Sequence, residues 1–320
     1  MRWRIQMPEI ISMGEALVEI MREKIGAGLD KPEVFIGPYP SGAPAIFADC
    51  AARLGGKVGF VGTIGNDDFG KVIQDRLRFD GVDLTYFQSK PEATTGVAFV
   101  AYFSDGSRKF LYHIRNAASG VIDKSRIVSS YFKGARFLHI NGSAVSINQD
   151  WKETIYLAIE TAKKNGVKIS FDPNIRPEIL GVDKVRALCQ PIIENASIVF
   201  PSGEEATMLT GKKDPEEAVF ALLEKGTDVV VLKKGSLGST VYSRGTKYDV
   251  PAFEVEEIDP TGAGDCFDAG FLVSLIQKRS LKESARYANA VGALAVTRKG
   301  PMEGAPFPEE VDKLITLSKK

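Results

Sequence analysis

The chain has 320 residues, 44% of them hydrophobic, and its 41 Lys and Arg balance 41 Asp and Glu, so the formal net charge at pH 7 is zero. That length can build one large α/β domain or two smaller ones, and a balanced charge gives no long-range field to steer the protein to nucleic acid or to an anionic membrane. No stretch approaches the roughly 20 apolar residues of a membrane span, and "MRWRIQMPEI" lacks the apolar core of a signal peptide.

The cysteines Cys50, Cys189 and Cys266 stand far apart and form no CxxC pair. They read as small buried hydrophobes in a reducing cytoplasm, not as a disulfide framework or a zinc site. A soluble cytoplasmic protein is expected.

Along the chain, short β-rich runs alternate with longer helical ones. Residues 9–14 and 57–65 read as strands, with a helix over 43–56 between them that a glycine pair ends. Strand runs follow at 135–142, 167–174, 196–202 and 228–235, and a hairpin at 239–250. Helices are expected over 150–165, 203–210, 214–225, 262–278, 281–297 and 307–318. Near-continuous β-branched strands alternating with helices predict an α/β fold, a mostly parallel sheet covered on both faces. Two regions, about 15–38 and 95–115, look instead like half-exposed strands, the second turning at Ser104-Asp105-Gly106-Ser107. They predict a small β-sheet lid. With no internal repeat and no Pro/Ser-rich linker, 1–320 reads as one continuous domain carrying that lid.

The sharpest motif is "IDPTGAGDCFDAGF" (258–271). Asp259-Pro260 ends a run, and Gly262-Ala263-Gly264-Asp265 opens a helix with Phe267, Phe271 and Leu275 on one face. A helix start offers unpaired N–H groups and partial positive charge, and glycine lets an anion approach them. A carboxylate in the first turn is then placed to take a proton from an attacking hydroxyl. An ordinary Gly-rich turn with a dipole-compensating Asp fits GxGD equally well.

Other phosphate signals are weaker. "GNDDFGKV" (65–72) approximates a Walker loop, but Val72 occupies the magnesium-binding Ser/Thr position, so a turn followed by a helix start is expected. "GAGDCF" lacks the third glycine of a dinucleotide fingerprint. Ser202 and Glu205 have capping-box spacing. Gly235 and Gly238 follow a strand and suit either a nucleotide or a plain turn. His113 and His139 have no metal-ligand spacing, and His139 reads as a hydrogen-bonded core residue.

Taken in order, "SGAPAIFADCAARLGGKVGFVGTIGNDDFG" (41–70), "FDPNIRP" (171–177), "PSGEEA" (201–206), "LKKGSLG" (232–238), "PTGAGDCFDAGF" (260–271) and "YANAVGALAVTRKGPMEGA" (287–305) resemble the ribokinase-like (PfkB) carbohydrate kinases across essentially the whole chain. The resemblance implies a three-layer sandwich with a β lid, and transfer of the γ-phosphoryl group of Mg-ATP to a sugar hydroxyl. It implies that Asp265 is the base, with the N–H groups from Gly262 through Ala263 and Gly264 as an anion hole. Glu205, beside Ser202, would organise Mg²⁺ through water. Lys233, Gly235 and Gly238 would border the nucleotide, and Asn289 would lie near the adenine. Glu19, Gly42, Tyr112, Arg115 and Arg176 would face the sugar, and Asp259 with the "TRKG" loop would hold a monovalent cation such as K⁺.

Three positions depart from the family pattern: Ser41 replaces a glycine, Ile46 a sugar-contacting Asn, and Ser202 the Asn of N-x-x-E. The wording of the motifs looks most like tagatose- or fructokinase-type members, which makes a ketohexose the expected substrate. A 2-keto-3-deoxygluconate kinase is the alternative, since Arg115 and Arg176 also suit a carboxylate. A nucleoside kinase of the same family, or a non-catalytic sugar-binding regulator, fits less well. Exposed lid strands favour a homodimer paired through the lids.

Overall fold

The computed structural model describes residues 7–175 and 180–318. The strands in chain order are β1 (Ile10–Met13), β2 (Leu17–Arg22), β3 (Phe35–Ser41), β4 (Val58–Gly65), β5 (Phe87–Lys90), β6 (Gly96–Tyr102) and β7 (Arg108–His113). They continue with β8 (Phe137–Asn141), β9 (Lys168–Asp172), β10 (Ala196–Val199), β11 (Val229–Lys233), β12 (Ser239–Ser243) and β13 (Thr246–Val250). Nine of them form one sheet in the order β13-β12-β11-β10-β9-β8-β1-β4-β5, antiparallel only at the β11-β12-β13 edge.

Successive strand residues point to opposite faces, and here both faces are apolar. Ile10, Phe137 and Val231 pack with the helices Ala43–Arg53, Asp68–Phe79, Ala263–Ile276 and Leu281–Ala295 on one side. Their neighbours Ile11, Leu138 and Val230 pack with Gln149–Lys164, Val182–Ile193, Gly203–Thr210 and Pro215–Glu224 on the other. The result is the expected three-layer α/β arrangement.

The second sheet, β3-β2-β6-β7, has four strands and is mixed, because β2 and β6 run parallel. Its β6–β7 turn falls where the sequence placed it: Gly106, at φ 81°, donates to the Phe103 carbonyl. β3 runs on to Ser41, past the expected boundary at 38, and delivers the chain directly into the helix Ala43–Arg53.

Some elements were hidden in the sequence, among them the four-residue helices Ser129–Phe132 and Gly142–Val145. The helix Val182–Ile193 carries Pro191 inside it, which interrupts the helical signal. The edge strand β5 has only four residues. The helix Ala263–Ile276 also departs from the single buried face anticipated for Phe267, Phe271 and Leu275. Every residue from Asp265 to Ser274 is buried, because the helix lies between Ala43–Arg53 and Leu281–Ala295.

Candidate active site

In a parallel sheet, side chains at the carboxyl ends of the strands border the crevice where ligands bind. Here β8 ends at Asn141, β9 at Asp172 and β11 at Lys233. A cavity of about 920 Å³ opens at these ends, walled on its far side by Leu17, Glu19, Arg108, Phe110 and Tyr112 of the small sheet.

The start of the helix Ala263–Ile276 enters this cavity. Gly262 is its N-cap at φ 82°, and a Cβ there would come within 2.4 Å of the Pro301 carbonyl oxygen, so only glycine fits. Gly264 is less constrained: a Cβ would reach ordinary contact, 3.4 Å, with Lys233 Nζ. Gly262, Gly264 and Asp265 line the cavity, whereas Ala263 does not, and its N–H faces the Pro260 carbonyl at 3.4 Å. Asp265 is 7% exposed, and its Oδ1 accepts from Asn141 Nδ2 at 3.2 Å.

Around Asp265 stand further charged groups. Lys233 Nζ lies 3.1 Å from Asp172 Oδ2 and 3.5 Å from Asp268 Oδ1. Burial disfavours the Lys233 charge, but Asp172, Asp268, Glu205 and Asp265 together outweigh it and raise its pKa above the ordinary lysine value. Burial likewise pushes the Asp268 carboxyl well above the usual range, with Lys233 only partly opposing it. Asp268 has 0% exposure, and neither of its oxygens accepts a hydrogen bond from a described residue.

Glu205 starts the helix Gly203–Thr210 as the expected capping box: Ser202 Oγ accepts from the Glu205 N–H, and Glu205 Oε2 accepts from the Ser202 N–H at 2.8 Å. It has a third tie, because Oε1 accepts from the Ile175 N–H at 3.0 Å. Both carboxylate oxygens are therefore engaged on the protein side. Ser202, Glu205 and Gly235 line the cavity with Lys233. No group of three or more His, Cys, Asp or Glu among the described residues could cage a metal. Those features fit Mg²⁺, which keeps several waters and binds largely through phosphate oxygens.

At the opposite end, Gly42 sits at φ 105°, where a Cβ would meet the Glu15 carbonyl oxygen at 2.5 Å. The family departures have local consequences here. Ser41 Oγ donates to Glu19 Oε1 at 2.8 Å, a bond that glycine could not make. Ile46 lies in the cavity wall, and its Cγ2 would be 3.2 Å from a Cβ on Gly262. Glu15 and Glu19 are 4% and 5% exposed, so this end of the cavity is acidic, while Tyr112, Arg108 and Arg115 face it from the small sheet and the segment after it.

Three residues singled out in the sequence lie outside the cavity lining. Gly238 packs its backbone against 250–252. Asn289 lies outside the cavity lining, with Nδ2 donating to the carbonyls of Val250 at 2.9 Å and Pro251 at 3.0 Å. Asp259, 2% exposed, accepts from the N–H groups of Thr261 and Gly300, each at 3.0 Å, and from the Tyr102 hydroxyl at 2.9 Å. Arg176 lies outside the described residues.

The sequence reading did not single out Glu15, Arg108, Asn141, Asp172 and Asp268 as site residues. A usable signal existed for Asn141 and Asp172, which end strand runs, and for Asp268, one helical turn beyond Asp265. His139 is the expected core residue, 0% exposed, stacked on Phe47 with ring centroids 3.8 Å apart and its Nδ1 paired with Ser170 Oγ at 3.0 Å.

Residues 7–308 match the model of the pfkB family carbohydrate kinases. Fructokinase-1 of Oryza sativa subsp. japonica is 32% identical, over 96% of this chain and 97% of the relative. A ribokinase II-type protein from E. coli, crystallised with ATP and Mg²⁺, is 40% identical with a TM-score of 0.91, covering 97% of this chain and 99% of its own. A double-mutant fructokinase from Vibrio cholerae with fructose, ADP and potassium ion is 30% identical with a TM-score of 0.85, covering 96% and 98%. With a cavity built on the Gly262–Asp265 helix start and a match along nearly its whole length, this chain belongs to the pfkB family of carbohydrate kinases.

Proposed function

We propose that this protein is an ATP-dependent ketohexose kinase, acting on fructose or tagatose. The observation that carries the reading is the position of Asp265, held by Asn141 at the floor of the cavity beside the Gly262–Gly264 turn, opposite the acidic end formed by Glu15, Glu19 and Ser41. A sugar bound there gives its hydroxyl proton to Asp265 as the oxygen attacks the γ-phosphoryl group in line. The helix start, through the N–H groups of Gly262, Gly264 and Asp265, meets the charge that gathers on that group. Mg²⁺ bound to the nucleotide neutralises phosphate charge, with Glu205 ordering its waters.

Gly235 borders the nucleotide in this reading, and Asn289 bears on the adenine indirectly, by fixing the carbonyls at 250–251, against which Gly238 also packs. Asp259 orders the 259–261 turn and the 300 loop that would hold K⁺. The small sheet acts as a lid that excludes water, bringing Tyr112 and Arg115 over the sugar, with Arg176 as a further contact. Its outer face exposes Phe35 and Leu111 at 38% and 49%, which suits pairing with a second copy. One domain, 1–320, works as a unit in the cytoplasm.

Buried Glu15 and Glu19 favour a neutral polyol over 2-keto-3-deoxygluconate, since a third carboxylate beside them would lose several kcal/mol unless matched by a cation. Competition at equal concentrations tests this. The expected kcat/KM is highest for fructose or tagatose, and a higher value for 2-keto-3-deoxygluconate overturns the substrate assignment.

A further inference from the structure

We propose that Arg76 is a positioning residue for phosphoryl transfer: from outside the cavity it clamps the loop 300–303 against the Gly262 helix start, and so holds in place the N–H groups that meet the transferring charge. The inference rests on the reading of that helix start as the phosphoryl site. Arg76 lies on the helix Asp68–Phe79, and its guanidinium forks onto Asp49 of the helix Ala43–Arg53, Nε donating to Oδ1 at 3.0 Å and Nη2 to Oδ2 at 2.9 Å. Nε also donates to Asp80 Oδ2 at 2.6 Å. The remaining donors cross to the loop: Nη2 reaches the Met302 carbonyl at 2.6 Å, and Nη1 reaches Glu303 Oε1 at 3.3 Å. One cation thus ties two helices to a loop, and none of these partners lines the cavity.

The clamped loop is the wall behind the helix start. The Pro301 carbonyl, one residue before Met302, is the group that leaves no room for a Cβ on Gly262. The Gly300 N–H donates to Asp259 Oδ2 at 3.0 Å, and Asp259 in turn orders the Thr261 N–H. The loop therefore touches the 259–262 turn on one side and Arg76 on the other. The helix Ala43–Arg53 closes the arrangement. Ile46 stands beside Gly262, its Cγ2 3.2 Å from the place of that Cβ, and Asp49, one turn later, grips Arg76. The side chains of Arg76, Asp49 and Asp80 are 14%, 0% and 1% exposed, so this is a dry, fixed cluster and not a solvated surface pair. A planar fork of donors can hold a carboxylate and a carbonyl at once, whereas a lysine ammonium is a point charge on a flexible stem.

Two variants test this at a temperature where all the proteins are folded. Asp49→Leu/Arg76→Met replaces both partners with apolar groups, so it strands no buried charge between them, and Asp80 keeps Arg53 at 3.8 Å. Arg76→Lys keeps a cation beside Asp49 and Asp80 but cannot also reach the Met302 carbonyl, and it keeps the inference open to refutation if the double variant does not fold. In each, kcat is expected to fall about tenfold or more, because small displacements of groups that meet the transition state are costly. KM for sugar and for ATP should stay within about twofold, since the lost interaction belongs to the transition state. The amide resonances of Gly262 and Gly300, read by NMR without ligands, should shift in both variants. An arginine that only joins the two helices lowers the melting temperature and leaves kcat and both resonances in place, which overturns the proposal. Shifted resonances with an unchanged kcat overturn it as well, and the fault then lies in the reading of the helix start, not in the clamp.

Discussion

Asn141, the last residue of β8, donates its side-chain N–H to Oδ1 of Asp265, the third residue of the helix Ala263–Ile276, over 3.2 Å. The bond fixes one carboxylate oxygen against the sheet. Asp265→Asn retains an oxygen to accept it but cannot take a proton. The expected result is a fall in kcat of about 10²-fold or more, with sugar and nucleotide binding little changed. A variant that keeps more than about a tenth of the wild-type kcat would exclude Asp265 as the general base.

Glu205 is committed to two backbone N–H groups, Ser202 and Ile175, one on each oxygen. Gln at this position offers one acceptor where the site needs two, and sets its NH₂ against an N–H. Glu205→Gln is therefore expected to lose about 1 kcal/mol of stability, the low end of the penalty for an unsatisfied group, because Glu205 is half-buried. It is also expected to need more Mg²⁺ for half-maximal rate. Titrating Mg²⁺ at a temperature where both proteins are folded separates the effects, and an unchanged requirement leaves Glu205 with its capping role alone.

The strands and helices of the central sheet were legible because period and composition agree there: β4, for instance, is buried at all eight positions and reads as one apolar run. Glu205 was legible as a cap because the capping box is local. Its bond to Ile175 was not, because that partner is thirty residues away. The same limit hid the partners of Lys233. "LKKGSLG" marks a strand followed by a turn, but nothing local says that its first lysine meets Asp172 and Asp268 from two other elements. Asn289 shows the converse: its motif suggested adenine, and its amide is occupied by the carbonyls at 250–251.

The small sheet touches the segment leading into Gly262 at Tyr102. Its hydroxyl donates to Asp259 Oδ1 at 2.9 Å and lies 2.9 Å from Thr261 Oγ1, while Arg108 Nη1 donates to Thr261 Oγ1 at 3.3 Å. Tyr102→Phe removes the hydroxyl and leaves Asp259 its two backbone donors. The expected cost is about 1 kcal/mol of stability, together with a lower kcat and a higher requirement for K⁺, since the 259–261 turn keeps only the Arg108 bond as its tie to the small sheet. Steady-state rates across a K⁺ series check this. Rates unchanged at every concentration would show that the hydroxyl does not couple the sheet to the turn.

His139 makes a pH-dependent contribution to stability whose sign follows from its burial. Burial disfavours the imidazolium and pulls the pKa from 6.5 down to about 3 in the folded protein, against the partial opposition of Asp172. Between those values the unfolded chain binds a proton that the folded chain does not, so stability rises with pH through this window and is complete above 6.5. Falling from pH 7 to pH 5 should remove about 2 kcal/mol through this residue, at roughly 1.4 kcal/mol per unit below the unfolded pKa. His139→Gln loses the stacking on Phe47 and is less stable at pH 7, but it has no group titrating in this window. The stability gap between wild type and variant, measured by denaturant unfolding, should therefore narrow by about that 2 kcal/mol at pH 5. A gap that stays constant from pH 7 to pH 5 would mean that the folded protein also protonates His139.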